Sequence, residues 1–295
     1  MSNILSIDGG GTKTLGVLYH ESGVEINRAL AGSSNFAVDY VEGKKTIIEV
    51  IDRLVTKDTA LIVIGIAGYS MVPNIALLTL DIKEKYQIPV EIHPDAYLGL
   101  YSAYDKLHPL VYVVGGTGSI IYSLNDGLIK RFGGYGHLFG DEGSAYGFVM
   151  NFMKDILNRL DEDKKLNRVQ QSILNALKLE TKESIIGFVH KEKKQDIASI
   201  AALITAKNDS YVKKLLIKEA SVIAKSIEKV SKINQFKQPF KLALRGGFIQ
   251  NAPIVIEEIK TQLQKKEIQF LMEKDIREAV YGGYNLYLIS KGKEI

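Results

Sequence analysis

Apolar runs and helix-spaced stretches alternate along this chain, and the alternation occurs twice. Ile4-Leu5-Ser6-Ile7 leads into Asp8, Gly9, Gly10, Gly11, Thr12, Lys13 and Thr14, and Leu15-Gly16-Val17-Leu18-Tyr19 follows at once. That is strand, tight turn, strand. Val24 to Ala31 gives a third strand, and Ala31-Gly32-Ser33-Ser34-Asn35 a polar turn. From Tyr40 to Val55 the apolar positions Val41, Ile47, Ile48, Val50, Ile51 and Leu54 keep helical spacing. The unbroken run from Ala60 to Ile66 predicts a strand buried in a parallel sheet. A helix from Pro73 to Tyr86, a strand over Val90-Glu91-Ile92-His93 and a helix from Ala96 to Tyr104 complete the series.

The order then restarts. Leu110 to Val114 is a strand, Gly115-Gly116-Thr117-Gly118-Ser119 a second glycine–threonine turn, and Ile120 to Leu124 and Leu128 to Phe132 finish another meander through Asn125-Asp126-Gly127. A mostly helical region spans Asp141 to Ile233. After it come a strand over Phe240 to Leu244 ending in Arg245-Gly246-Gly247-Phe248 and a helix from Pro253 to Lys265. A short strand over Ile268-Gln269-Phe270 and a final helix from Asp275 to Ser290 close the chain. The element order is thus an internal duplication, with a glycine turn opening each half. Residues 1–108 form the expected N-terminal domain, joined by the last helix, 275–295; residues 109–274 form the C-terminal one, with the seam at His108-Pro109.

Consecutive glycines can take positive φ and leave N–H groups unshielded, which suits phosphate oxygens, with threonine hydroxyls as further donors. No G-x-x-x-x-G-K-[ST] occurs, so this is not a Walker-type loop. Two such turns facing each other would clamp a polyphosphate.

Composition narrows the classes. In 295 residues, 38 basic and 34 acidic side chains give a net charge of +4, too mild to suggest nucleic acid. Lys191-Glu192-Lys193-Lys194 and Gln264-Lys265-Lys266-Glu267 read as solvated helix faces. The absence of cysteine removes disulfides, thiolate metal sites and cysteine nucleophiles, and fits a cytoplasmic protein. Met1-Ser2-Asn3 lacks the basic region of a signal peptide. Thr59 to Leu80 is uncharged and long enough for a bilayer, but Gly65, Gly68, Ser70, Pro73 and Asn74 divide it into strand, turn and helix.

The ordered set Asp8-Gly9-Gly10-Gly11-Thr12-Lys13-Thr14, Gly116-Thr117-Gly118-Ser119 and Gly140-Asp141-Glu142-Gly143-Ser144-Ala145-Tyr146 resembles the sugar kinases of the superfamily shared by actin, hexokinase and the heat-shock chaperone ATPases. The likeness is greatest to the branch of N-acetylglucosamine kinases and BadF/BadG ATPases. It implies an α/β fold, a duplicated ribonuclease-H-like (actin-like ATPase) architecture of two domains with a cleft between them. It also implies use of ATP and Mg²⁺, with Asp8 holding hydrated Mg²⁺. By the same resemblance Gly10, Gly11, Thr12 and Lys13 lie near the phosphates, Gly116, Thr117 and Gly118 form the second phosphate motif, and Gly246 and Gly247 the adenosine motif. Gly282-Gly283 corresponds to a segment of close helix packing.

Asp95, in His93-Pro94-Asp95-Ala96, stands where a strand ends and a helix begins, the usual place for ligands in open α/β sheets. The resemblance makes it the general base for the sugar hydroxyl; the bland alternative is a helix cap. Asn35, Ala67, Gly68, Gly116, Ser119, Tyr135 and Asp141 join Asp95 as sugar-side residues by resemblance. Relatives often carry Trp where Tyr135 stands, and this chain has no Trp; a tyrosine ring could still line an N-acetyl pocket. Lacking cysteine, the chain is neither a zinc-binding ROK kinase nor a cluster-bearing dehydratase activator, so His137 reads as structural or sugar-side rather than as a metal ligand. The expected activity is ATP-dependent phosphorylation of N-acetylglucosamine at its 6-hydroxyl. N-acetylmuramic acid, glucosamine and broad hexokinase activity are alternatives, and an ATP-dependent sugar-sensing regulator is the alternative without catalysis. Partners are small molecules, not nucleic acid or membrane, with a homodimer possible.

Overall fold

The computed structural model describes residues 2–293, which divide into two units, Met1–Leu107 with Lys274–Ile295, and His108–Glu273. In the first unit, β1 (Asn3–Gly9), β2 (Thr14–His20) and β3 (Glu25–Ala31) form an antiparallel meander. β4 (Thr59–Ile66) and β5 (Val90–Pro94) add in parallel, giving the order β3-β2-β1-β4-β5. Between them run α1 (Tyr40–Leu54) and α2 (Ile75–Tyr86), and α3 (Asp95–Ala103) follows β5. Asp39 and Asn74 cap α1 and α2 by accepting from Glu42 N and Leu77 N, each satisfying a donor that a helix start leaves open. A 3₁₀ turn, Tyr69–Met71, precedes α2, so that helix begins two residues past the expected Pro73. The Thr59–Leu80 segment is indeed strand, turn and helix, and no helix among the described residues is long and apolar enough to cross a membrane.

The second unit repeats the plan. β6 (Leu110–Gly115), β7 (Ser119–Asn125) and β8 (Leu128–Phe132) form the meander, and β9 (Phe240–Arg245) and β10 (Phe270–Met272) add in parallel, in the order β10-β9-β6-β7-β8. The β7–β8 turn has positive φ at both Asp126 and Gly127, as a tight two-residue hairpin requires. The helical insertion is α4 (Ala145–Asp161), α5 (Arg168–Leu177), α6 (Lys182–Lys191), α7 (Lys194–Thr205) and α8 (Ser210–Asn234). After β9 come the short α9 (Gly247–Gln250) and α10 (Pro253–Lys265).

Two expected boundaries shift, both for tertiary reasons. β10 starts at Phe270 rather than Ile268 because Ile268 N donates to Leu263 O and helps terminate α10. The last helix, α11, covers Tyr281–Ser290 rather than starting at Asp275. The segment before it is held out of helix: Glu278 pairs with Arg28 on β3 at 3.2 Å, and Ser6 Oγ on β1 donates to Val280 O at 2.5 Å.

α11 closes the first unit. A Cβ on Gly282 would lie 1.8 Å from Leu98 O of α3, and one on Gly283 would lie 2.1 Å from Ser6 Oγ, so only glycine permits this approach. Val280, Tyr284, Tyr287 and Leu288 thereby complete a buried cluster with Ile4, Val17, Leu61, Val63 and Leu98.

Candidate active site

In the first unit, register places Asp8 beside Gly65 and Gly65 beside His93, so the carboxyl ends of β1, β4 and β5 finish level. Asp95 follows directly as the first residue of α3, with its carboxylate Oδ1 accepting from Ala96 N at 2.8 Å. It therefore sits inside the first helical turn, and Pro94 occupies the cap position. Gly65 makes room: a Cβ there would come 3.1 Å from the Asp95 Cα.

Burial raises both carboxyls. Asp8 is lifted from 3.8 to about 7, first by desolvation, then by the charge of Asp95, with Lys13 opposing and Glu278 adding. Asp95 is raised by burial, against hydrogen bonds from the backbone N–H groups of Ala96 and of its own residue. A carboxyl with its pKa moved toward neutrality, beyond the strand ends of an open sheet, suits proton acceptance.

The first glycine loop is stitched to the same edge. Gly10 N donates to Lys13 O, Ser34 N to Gly10 O, Ala67 N to Gly9 O and Phe36 N to Ala67 O. Asn35 Oδ1 accepts from Ala37 N at 3.0 Å, and a Cβ on Gly68, at φ 78°, would strike Ala37 N at 2.4 Å. Gly10, Gly11, Thr12, Lys13, Asn35, Ala67, Gly68, Asp8 and Asp95 thus gather on one edge. The expected reason for the glycines needs correction. None of Gly9, Gly10 and Gly11 has positive φ; Gly9 is required because a Cβ would meet Ser34 Oγ at 2.5 Å and Gly65 O at 2.9 Å. Thr14 is no phosphate donor either, since its buried hydroxyl is engaged within the fold, donating to Gly32 O and hydrogen-bonded to the Ser34 hydroxyl. Thr12 and Lys13 are exposed.

In the second unit the matching edge carries Gly116, Thr117 and Gly118. The carbonyls of Gly116 and Thr117 accept from Ala145 N and Tyr146 N, seating the loop on the start of α4. Gly246, at φ 92°, backs directly onto it: a Cβ would lie 2.5 Å from Gly115 C. Next to Gly247, a groove of about 520 Å³ is walled by Ala198, Ala201, Ala202 and Thr205 of α7 opposite Phe248 and Ala252. Its walls are mostly small side chains.

Asp141 is not an open carboxylate. Its side chain is 3% exposed, Oδ1 accepts from Ser119 N at 3.2 Å, and Oδ2 lies 2.5 Å from Lys194 Nζ. Ser144 Oγ donates to its carbonyl, and Glu219, buried on α8, accepts from Gly143 N and Asn151 Nδ2 to fix the same turn. Tyr135 is exposed, beside a loop held by Arg131, which donates to Gly133 O and Gly134 O and overlies the tyrosine ring. His137 stacks edge-on to Tyr146. Lys194 and Glu219 escaped the sequence reading: one lies in a lysine-rich stretch, the other in an amphipathic helix, and neither carries a motif.

The duplication also leaves a counterpart of Asp95. Glu273 follows β10 as Asp95 follows β5, but it lies 2.5 Å from Arg245 and is buried, so its charge is already matched. Only the first unit keeps an unneutralised acid at this place.

No trio of His, Cys, Asp or Glu able to cage a metal exists among the described residues. Asp8 nonetheless fits Mg²⁺: a carboxyl burdened by a second acid gains from a nearby dication, and Mg²⁺ keeps most of its waters and leans on phosphates rather than on a full protein cage.

Comparisons with known proteins bear on the family and the fold. The N-acetylmuramic acid/N-acetylglucosamine kinase of Clostridium acetobutylicum is 26% identical over 275 residues, covering 88% of this chain and 90% of that protein. The N-acetyl-D-glucosamine kinase of Dictyostelium discoideum is 26% identical over 288 residues, with 88% and 90% covered. Among solved structures, a protein of Chromobacterium violaceum provisionally described as an N-acetylglucosamine kinase superposes with a TM-score of 0.70 at 18% identity, over 97% of this chain and 99% of that one. A ROK family glucokinase of Streptomyces griseus, solved with glucose and AMPPNP, gives 0.61 at 15%, over 97% and 99%. The fold is that of the actin-like ATPases. Residues 5–283 match the BadF/BadG/BcrA/BcrD ATPase family, and the chain belongs to it.

Proposed function

We propose that this protein is an ATP-dependent aminosugar kinase that transfers the γ-phosphoryl group to the 6-hydroxyl of N-acetylglucosamine. The observation that carries the reading is Asp95: an acid with a raised pKa, at the first turn of α3, level with Asp8 and the first glycine loop. Phosphoryl transfer asks the protein for positioning, charge neutralisation and a proton acceptor, with little covalent work. Asp95 accepts the proton of the attacking hydroxyl. Asn35 and the Ala67-Gly68 turn orient the sugar beside it, with Tyr135 and Ser119 as further sugar-side groups. Asp8 would hold hydrated Mg²⁺, which neutralises phosphate charge when bound. Gly10, Gly11, Thr12 and Lys13 hold the phosphates from the first unit. The second unit offers Gly116, Thr117 and Gly118 to the phosphates and the Gly246-Gly247 edge and its groove to the nucleoside. Asp141, buried and paired, shapes the second loop instead of touching ring hydroxyls.

The test is a sugar panel scored by ADP release, with the product's phosphate position assigned by NMR. N-acetylglucosamine should give a higher kcat/KM than glucose, N-acetylmuramic acid and glucosamine. Glucose ahead of the aminosugars would replace this reading with a hexokinase. ADP release unaffected by every sugar would leave a sugar-sensing ATPase.

A further inference from the structure

α7 begins with a lysine in an awkward place. Lys194 is its first residue, where an ammonium opposes the positive end of the helix dipole. Lys193, at the cap, makes no side-chain capping bond. What draws Lys194 there is Asp141, 2.5 Å away. The contact is a direct ion pair with Oδ2, one of three directions in which an ammonium can donate. The pair is also lopsided: the Asp141 side chain is 3% exposed and that of Lys194 is 28% exposed. The lysine side chain therefore keeps part of its surface toward solvent while the acid does not.

This partly exposed lysine lies against the second glycine loop. A Cβ on Gly118 would fall 2.8 Å from Lys194 Nζ and 2.9 Å from Asp141 Oδ1, so the missing side chain is what lets the ammonium reach the loop backbone. Lys194 also shares a helix face with the nucleoside groove. Ala198, Ala201, Ala202 and Thr205 follow it at intervals of four, seven, eight and eleven residues, which recur on one side of an α-helix. α7 thus presents a cation at the loop end and a wall of small side chains beyond it.

We propose that Lys194 binds a nucleotide phosphate over the Gly116–Gly118 loop, with Asp141 as the counter-ion that holds the ammonium ready before the nucleotide arrives. This rests on the nucleotide-binding reading of the second unit and adds to it a phosphate ligand that no glycine motif announces. Asp141 and Lys194 then act as one device: the acid fixes the Ser119 N–H and the lysine together, and the lysine supplies the charge that a loop of glycines lacks.

The experiment is calorimetric titration of ATP and of adenosine into the wild type, Lys194→Met and Lys194→Arg. Lys194→Met should weaken ATP by about tenfold or more, the order of one hydrogen bond to a charged group, and leave adenosine unchanged. Lys194→Arg should restore most of the loss, and raising salt should narrow the gap between Met and wild type. If ATP and adenosine weaken together, Lys194 is only structural; if ATP affinity is unaltered, it contacts no phosphate. Either result overturns the proposal while leaving the kinase reading intact. Should the Met variant unfold because Asp141 is left without its partner, Lys194→Met with Asp141→Asn removes the orphaned charge and carries the same comparison. A wild type that binds neither ATP nor adenosine defeats both this proposal and the nucleotide site beneath it.

Discussion

Replacing Asp8 by Asn should stabilise the ligand-free protein while removing its turnover. The Asp8 carboxyl is raised from 3.8 to about 7, chiefly by burial and then by Asp95. A carboxyl whose pKa is higher folded than unfolded makes the native state bind the proton more tightly. Its favourable contribution is therefore complete below about pH 4 and is lost as pH rises through about 7. At about 1.4 kcal/mol per unit, the whole shift would penalise the folded state by roughly 4 kcal/mol near pH 8 and roughly 2 kcal/mol near pH 5. Asp8 is half-buried rather than sealed, and solvent screening reduces both figures, leaving about 1 kcal/mol of difference between the two conditions. Asparagine keeps the shape and does not titrate. Urea unfolding of both proteins in metal-free buffer should therefore show the advantage of Asp8→Asn growing by about 1 kcal/mol from near pH 5 to near pH 8. A constant offset between the two proteins would refute the reasoning, because the burdened carboxylate would then not be Asp8. Turnover should fall by roughly 10²-fold or more if the acid orients the ion at the transferring phosphate. In the wild type, the KM for magnesium-ATP should rise as pH drops below about 7, where Asp8 takes up its proton.

Asp95→Asn preserves the acceptor for Ala96 N but cannot take a proton; kcat should fall by at least roughly 10²-fold with sugar affinity retained, as measured by coupled ADP release and by sugar titration. Near-normal kcat would move the base elsewhere. Gly282→Ala should cost about 3 kcal/mol or more, because its Cβ would overlap Leu98 O and the helix pair would have to separate; thermal unfolding reads this directly. A melting temperature within a degree or two of the wild type would mean that α11 and α3 are not so closely held.

The architecture was legible because its signals are local. Apolar runs and helical spacing located the strands and most helices outside the insertion, whose five helices α4–α8 read only as one helical region, and the second glycine–threonine turn exposed the duplication. Asp95 could be found because a strand end, Pro94 and a helix start coincide there. What stayed hidden depends on distant partners. The reason for Gly9 lies in Ser34 and Gly65, not in its own φ. The late start of α11 is dictated by Arg28 and Ser6, far away in sequence. Asp141 looks in sequence like an acid free to meet ligand, and only Lys194 and Ser119 reveal it as buried and paired. Glu219, which locks the Gly143 turn, sits amid a helix whose periodicity announces only packing.

The closure of the first unit by α11 has a consequence for how the chain is made. Val280, Tyr284, Tyr287 and Leu288 cover Ile4, Val17, Leu61, Val63 and Leu98, yet they leave the ribosome after the whole second unit. At about 5–20 residues per second, the intervening stretch takes on the order of ten to thirty seconds to synthesise. Throughout that interval one face of the β1–β2–β4 sheet lacks its cover and is exposed to unwanted association, whereas the second unit is contiguous and can fold as soon as it emerges. The N-terminal unit, begun first, is thus finished last. A chain ending before Tyr281 would carry the second unit tethered to an incomplete partner, the species on which a chaperone would act.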